Sequence, residues 1–278
     1  MTETAHHNEQ ASEFRALHIP GTPLRLANVW DAASARIVEE AGAAALATSS
    51  AAVANVLGYA DGEALPPDEL VAALRRIAAV IRVPLSVDAE AGYGATPNAA
   101  ADSVERLVDA GAIGINLEDG SEPATLLADK ITAIRARAVA RGRDVFINAR
   151  TDVFLRGLVA DEAAVDETLQ RLRLYREAGA DGAFVPGLVD VPRIRAIVAA
   201  NVMPLNVLVL PGIADVADLA AAGVARISLG SGIFRTGMTV VQRVAEEFLR
   251  DGTYRALDAE GSLTHRQVNA LFTDRQSG

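Results

Sequence analysis

The chain of 278 residues contains no cysteine. A disulfide framework, a cysteine-ligated zinc site and a thiol nucleophile are therefore excluded. Lysine is almost as scarce, with Lys130 the only one. A Schiff-base mechanism needs a lysine at the reacting centre. Lys130 falls instead in a helical stretch after the fourth strand-like run. The histidines are His6, His7, His18 and His265, all near the termini, so no strand end carries an imidazole base. No basic run relieves the net charge of −10, which argues against nucleic acid, whose phosphates demand a positive footprint. No apolar stretch approaches the roughly 18 residues of a membrane span. The opening MTETAHHNEQ is polar and acidic, unlike a secretory leader. The expectation is a soluble, cytoplasmic protein with neither nucleic acid nor membrane as partner.

What is present is apolar and regular. Apolar residues make up 50% of the chain but aromatics only 4%, so the core must be built from Ala, Val and Leu. Short apolar runs end at Trp30, Thr48, Asp88, Asp119, Arg150, Gly187, Leu210 and Gly230. They lack polar alternation, as strands buried on both faces do. Helical patterns separate them. DAASARIVEEAGA reads as an Asp cap, an amphipathic helix and a Gly stop. PNAAADSVERLVDAGA and DEAAVDETLQRLRLYREAGA each end in Ala-Gly-Ala, a helix stop leading into the next strand. Eight strands alternating with helices predict an α/β protein, a (β/α)8 TIM-type barrel in a single domain over 1–278. The alternative is an open doubly wound sheet, but its GxGxxG phosphate loop is absent. Residues 1–16 are expected to form an N-terminal arm, mobile or docked. Residues 231–278 are expected to form a C-terminal helical segment, either packed on a neighbouring subunit or loosely attached.

In such barrels function collects at the C-terminal ends of the strands. Those ends carry Asp31, Thr48, Ser49, Ser50, Asp88, Glu90, Glu118, Asp119, Asn148, Arg150, Asp152 and Asn206. Asp88 and Glu90, in PLSVDAEAGYG, stand two apart and project to one side of an extended chain. With Glu118 at the next strand end, three carboxylates ring one mouth, and they repel unless protonated or neutralised. A hard divalent cation fits oxygen donors best, Mg2+ first and Mn2+ as its substitute. The same pair would also serve to cap a helix or meet surface arginines. Arg150 could present a bidentate fork to a carboxylate or phosphate, or simply pair with Glu118 or Asp152. Ser49 and Ser50 could donate to an anionic substrate or merely pack. Tyr93 could move a proton or be structural. Asp61, in the turn-rich GYADGE, reads as a turn aspartate on sequence alone.

NVWDAASARIVEEAG, TSSA, VDAEAGYG, NLEDG and NARTD, in this order, resemble the isocitrate lyase / phosphoenolpyruvate mutase superfamily over roughly residues 19 to 250. The resemblance implies an α/β barrel whose eighth helix is often exchanged between subunits of a homodimer or homotetramer. It implies Mg2+ and a small 2-oxo or 2-hydroxy carboxylic acid as substrate. Asp88, Glu90 and Glu118 would form the metal shell, with Asp61 contributing from the gating loop. Ser49, Ser50, Asp88, Arg150 and Asn206 would touch substrate. Arg150, Tyr93 and Glu118 would be the catalytic groups. Glu90 stands where many members carry Asp.

Two departures narrow the chemistry. Isocitrate and methylisocitrate lyases carry Lys-Lys-Cys-Gly-His, and this chain has no cysteine. Mutases and phosphonopyruvate hydrolases carry a lysine soon after Leu-Glu-Asp. Here Ala124 takes that place, and Leu126 stands where the mutase has asparagine. Decarboxylation of a 2-oxo dicarboxylate needs no strong base, only an electron sink and a proton donor. An oxaloacetate decarboxylase-like lyase is therefore expected first, with a related retro-aldol cleavage close to it. Phosphorus–carbon chemistry, methylisocitrate lyase-like cleavage and a non-catalytic 2-oxo acid binding protein are the alternatives.

Overall fold

The structure is a computed structural model that describes residues 2–258 and 261–273. The C-terminal segment expected from the sequence thus includes residues 259–260 and 274–278, which lie outside the described residues.

All strands are parallel and run in one ring. They are β1 (Leu24–Leu26), β2 (Asn28–Val29), β3 (Leu46–Thr48), β4 (Leu85–Asp88), β5 (Gly114–Glu118), β6 (Phe146–Arg150), β7 (Gly182–Phe184), β8 (Leu205–Leu208) and β9 (Arg226–Ser228). The first barrel strand is broken at Ala27. Its lower half, β1, pairs with β9, and its upper half, β2, pairs with β3. Closure through this split strand gives the expected TIM-type barrel, with every apolar run of the sequence placed as a strand.

The helices are α1 (Glu3–Ala16), α2 (Ala32–Glu40), α3 (Ser50–Val56), α4 (Pro67–Ala78), α5 (Pro97–Asp109), α6 (Ala124–Arg141), α7 (Val153–Arg156), α8 (Ala164–Ala178), α9 (Val191–Ala199), α10 (Val216–Ala221), α11 (Gly232–Asp251) and α12 (His265–Thr273). Capping follows the local sequence. The Asp31 side chain accepts the Ser34 N–H while the Ser34 hydroxyl closes the box. Gly179 ends α8 in the left-handed conformation that a side chain would resist. Among the described residues no helix is long and apolar enough to cross a membrane.

Strand alternation builds two layers. Val87, Ile115, Leu117, Ile147, Ala149, Val207 and Ile227 pack outward with helix residues such as Leu74, Val104, Ile131 and Ile194 in one apolar core. The alternate residues face the lumen. At its lower end lies a separate cluster of Phe14, Leu24, Leu26, Ala47, Ile113 and Phe146. The N-terminal arm supplies the plug: residues 3–16 are helix α1, docked under the barrel. Phe14 is fully buried and meets the Phe146 ring edge-on at 5.3 Å. A Cβ on Gly114 would stand 2.8 Å from the Phe14 ring, so glycine is what lets the plug enter. Polar bonds tie α1 down: the His7 ring donates to the Asp144 carbonyl at 2.7 Å, and Arg15 pairs with Asp144 at 2.8 Å.

At the other terminus, α11 leaves the barrel with only Phe234 buried. The chain then returns, and the Arg36 Nε donates to the Leu271 carbonyl at 2.8 Å, setting α12 against α2.

Candidate active site

Asp88, Glu118 and Arg150 close three adjacent strands, β4, β5 and β6. Register pairs Glu118 with Arg150 and places Asp88 beside Asn116. The Arg150 Nη1 meets Glu118 Oε2 at 2.5 Å, and its Nε and Nη2 donate to the two Asp152 oxygens at 2.7 and 3.1 Å. Both salt-bridge partners considered from the sequence are thus present. Burial opposes the guanidinium's charge, but Glu118 and Asp152 outweigh it and raise its pKa. Of five guanidinium N–H groups, these contacts leave two for a substrate oxygen.

Asp152 has no exposure at all. Arg150 and Arg156 both donate to it, supplying the partners that a buried carboxylate needs. Its own N–H donates to Asp119 Oδ1 at 2.9 Å, and Asp119 Oδ2 accepts from Arg171 and from the Tyr175 hydroxyl. Asp119 is therefore fully engaged in holding the rim. Burial lifts the Glu118 carboxyl to about 8, against the pull of Arg150, with the Asp88, Asp152 and Glu90 charges adding to the rise.

Asp88 is gripped from β3. Its N–H donates to Thr48 Oγ1 at 2.9 Å, and its Oδ2 accepts the Ser50 N–H at 3.2 Å. Its Oδ1 is buried without a protein partner. Ser49 is buried and caps no helix with its hydroxyl. Helix α3, which begins at Ser50, was not foreseen in the sequence and is what turns this N–H toward Asp88. Asn206 lies inside the lumen, accepting from Ser228 Oγ at 3.3 Å, with Nδ2 unpartnered.

Glu90 is buried, and both of its oxygens are bonded. Its Oε1 accepts the Tyr93 hydroxyl at 2.6 Å and its Oε2 the Glu63 N–H at 2.7 Å. Burial raises the Glu90 carboxyl despite these bonds, and the charges of Asp88 and Asp61 add to the rise. Tyr93 is raised by burial and by its bond to Glu90, which weakens it as an acid. Among the described residues no three acidic or histidine side chains converge as a preformed metal cage. The donor set still suits Mg2+, which is held by one or two carboxylates and keeps several waters. The orphaned, buried Asp88 Oδ1 is the oxygen that such an ion would satisfy.

Sequence reasoning overlooked Arg226. It is wholly buried on β9 and reaches across the lumen to donate to Asn116 Oδ1 at 3.2 Å on the opposite wall. Burial pulls its pKa down to about 9, with only Asp88 acting to raise it. Its signal was the arginine inside the apolar run ARISLG.

The model of the phosphoenolpyruvate phosphomutase family matches residues 14–249, which span every strand and each mouth residue above. The chain belongs to that family. An oxaloacetate decarboxylase of Pseudomonas fluorescens is 29% identical over 281 residues, covering 96% of this chain and 90% of its own. An uncharacterised protein of Mycobacterium tuberculosis is 36% identical, with 88% and 95% covered. In structure, a candidate phosphonomutase of Burkholderia cenocepacia J2315 superposes with TM-score 0.83 at 43% identity, covering 87% of this chain and 99% of that one. With these relatives, the chain is an enzyme of the lyase type.

Proposed function

We propose that the enzyme is a divalent-metal-dependent lyase that decarboxylates a small 2-oxo acid of the oxaloacetate type. The observation that carries this reading is Asp88: an oriented carboxylate with one buried, unpartnered oxygen, in a mouth without cysteine or histidine, while the one lysine, Lys130, is tied to the Ala91 carbonyl. Mg2+, or Mn2+ in its place, would be held by Asp88, with Glu90, Glu118 and Asp61 reached through water. Its chemistry there is that of a Lewis acid, drawing off the charge that decarboxylation leaves on the oxo group.

The protein's own groups do the rest. Ser49 and Ser50, at the entrance of α3, hold the substrate carboxylate. Arg150, locked by Glu118 and Asp152, directs its two spare N–H groups at the substrate. Asn206 supports the site from the lumen below. Glu118, whose carboxyl burial raises in the metal-free protein, would supply the proton to the carbon that loses CO2, leaving pyruvate. Tyr93, less acidic and tied to Glu90, is the slower donor. Retro-aldol cleavage would use the same groups. Assembly as a homodimer or homotetramer through α11 belongs to the same reading, because Val241, Phe248 and Leu249 are exposed along it.

Phosphorus–carbon chemistry is the second reading, favoured by the candidate phosphonomutase among the relatives. Against it, α6 begins directly at Ala124, and the mouth gains no lysine there. One panel separates the two: oxaloacetate, methylisocitrate, isocitrate, dimethylmalate and phosphonopyruvate, each with Mg2+ or EDTA. Pyruvate released from oxaloacetate above the metal-only rate, and lowered about a hundredfold or more in Asp88→Ala, is the expected result. Phosphate from phosphonopyruvate would transfer the protein to the second reading.

A further inference from the structure

Four described non-glycine residues have positive φ, and three of them meet beside the mouth: Glu63 at 58°, Glu90 at 47° and Tyr93 at 50°. Such residues cost free energy that their surroundings must offset, and they gather at functional sites. Here they offset one another. The Glu63 N–H donates to Glu90 Oε2 at 2.7 Å, the Tyr93 N–H donates to Glu63 Oε1 at 2.6 Å, and the Tyr93 hydroxyl donates to Glu90 Oε1 at 2.6 Å. Three strained residues thus close a ring of hydrogen bonds, two of them to backbone N–H groups.

The two sides of this ring are unequal. The 89–93 turn is fixed to the scaffold. From α5, Ser103 Oγ donates to the Tyr93 carbonyl at 3.0 Å. From α6, the single lysine, Lys130, donates to the Ala91 carbonyl at 2.7 Å while itself buried. The 58–63 stretch is exposed throughout except for Tyr59, and Gly58 and Gly62 both have positive φ. Glu63 is the side chain through which this stretch reaches the turn. It is also one of two carboxylates, with Glu122, whose charge offsets the burial of Lys130.

We propose that Glu63 is a positioning residue: its carboxylate, bonded to the Tyr93 N–H, locks the 58–63 loop onto the Glu90–Tyr93 turn. It thereby sets where Asp61 stands beside the mouth. Asp61 is close enough for its charge to act on Glu90. The proposal rests on the mouth being the active site, and it adds a residue that touches neither substrate nor metal.

The lone lysine provides a direct readout. Reductive methylation with formaldehyde and cyanoborohydride, followed by peptide mass spectrometry, separates Lys130 from the N-terminal amine. Loss of a hydrogen bond to a charged acceptor predicts that Glu63→Ala raises the Lys130 labelling rate about fivefold or more. In Glu63→Gln the amide oxygen still accepts from Tyr93 while the charge acting on Lys130 is lost, so labelling should rise by less than about half as much as in Glu63→Ala. An equal rise would trace the effect to charge alone and overturn the proposal. Binding of oxalate with Mg2+, measured by calorimetry, should weaken about fivefold in Glu63→Ala and recover in Glu63→Gln. In turnover the loss should appear in KM more than in kcat. Unchanged labelling in Glu63→Ala overturns the proposal, as does faster labelling with unchanged oxalate affinity. If the unsubstituted enzyme neither binds oxalate nor turns over any 2-oxo acid, the functional reading fails, while the labelling ratio still decides whether Glu63 holds the loop.

Discussion

The two ends of the barrel are made by the same strands and obey opposite rules. At the bottom, Phe14, His18 and Phe146 stack against one another, His18 lying 4.2 Å from the Phe146 ring and nearly parallel to it. Here apolar area is removed from water, and the ion pairs of Arg15 with Asp144 and Asp181 stand at the partly exposed edge of the cluster. At the mouth polar groups are packed against one another instead: Arg150 between Glu118 and Asp152, Arg171 on Asp119, and the Ser50 N–H on Asp88. The span between the two is one strand: β6 begins with Phe146 and ends with Arg150. The comparison teaches a division of labour. The bottom holds the barrel shut mainly by apolar contact, with its ion pairs at the edge. The mouth spends stability to keep carboxylates oriented, and one oxygen, Asp88 Oδ1, is left for a ligand.

The most forceful way to break that division is at the plug. Phe14→Ala should cost about 3–5 kcal/mol of stability, because a fully buried aromatic leaves a cavity that Gly114 cannot fill. Urea unfolding would measure the loss. If the two ends are independent, the folded variant should bind oxalate with Mg2+ within about twofold of the unsubstituted enzyme, as expected for distant sites. A parallel fall in affinity would show that the plug also sets the mouth.

How far each end could be read from the sequence differs for a physical reason. The strands announced themselves, because burial on both faces leaves short, largely apolar runs such as AALAT and PLNVLVL. The mouth acids were visible because strand ends are where polarity interrupts those runs. The plug was not visible. In α1 only His7, Ala11 and Phe14 are buried, too few to impose a helical period on a polar segment. Helix α3 is short and alanine-rich, so AAVANV carried no clear start or stop. The link from Glu90 and Tyr93 to Glu63 was not visible in the sequence either. Their bonds join residues 27 and 30 positions apart, a pairing no local pattern encodes. Asp152, at the end of NARTD, was already a considered partner of Arg150, but its second partner, Arg156, needed the fold.

A second test sharpens the contrast through pH. Glu118 has its folded pKa raised to about 8 from an ordinary 4.5. The folded state therefore holds a proton that the unfolded chain has released. Its contribution is complete below 4.5 and is lost as pH rises to 8. Without metal, the enzyme should lose stability across that window, by at most about 1.4 kcal/mol per pH unit. Glu118→Gln, which keeps the shape but cannot titrate, should flatten the slope in a pH series of urea midpoints. An unchanged slope in that variant would move the titration to another group.

His18 at the bottom should behave in the opposite sense, and with the smaller observable effect. Burial lowers its pKa to about 3 from an ordinary 6.5, aided by the charges of Arg226 and Arg15 and opposed by the hydrogen bond its Nδ1–H makes to the Phe14 carbonyl. The folded state thus refuses a proton that the unfolded chain accepts. The stability is present above 6.5 and is lost as pH falls toward 3. Other carboxylates are protonated over the lower part of that range, so the usable window is its upper part. His18→Phe keeps an aromatic ring on Phe146 and removes the titration. It should be more resistant to acid than the parent between pH 6.5 and about 4.5, while Glu118→Gln should not be. If both substitutions shift the acid limb alike, the two ends share one proton-linked transition and the barrel does not divide its labour as its burial pattern indicates.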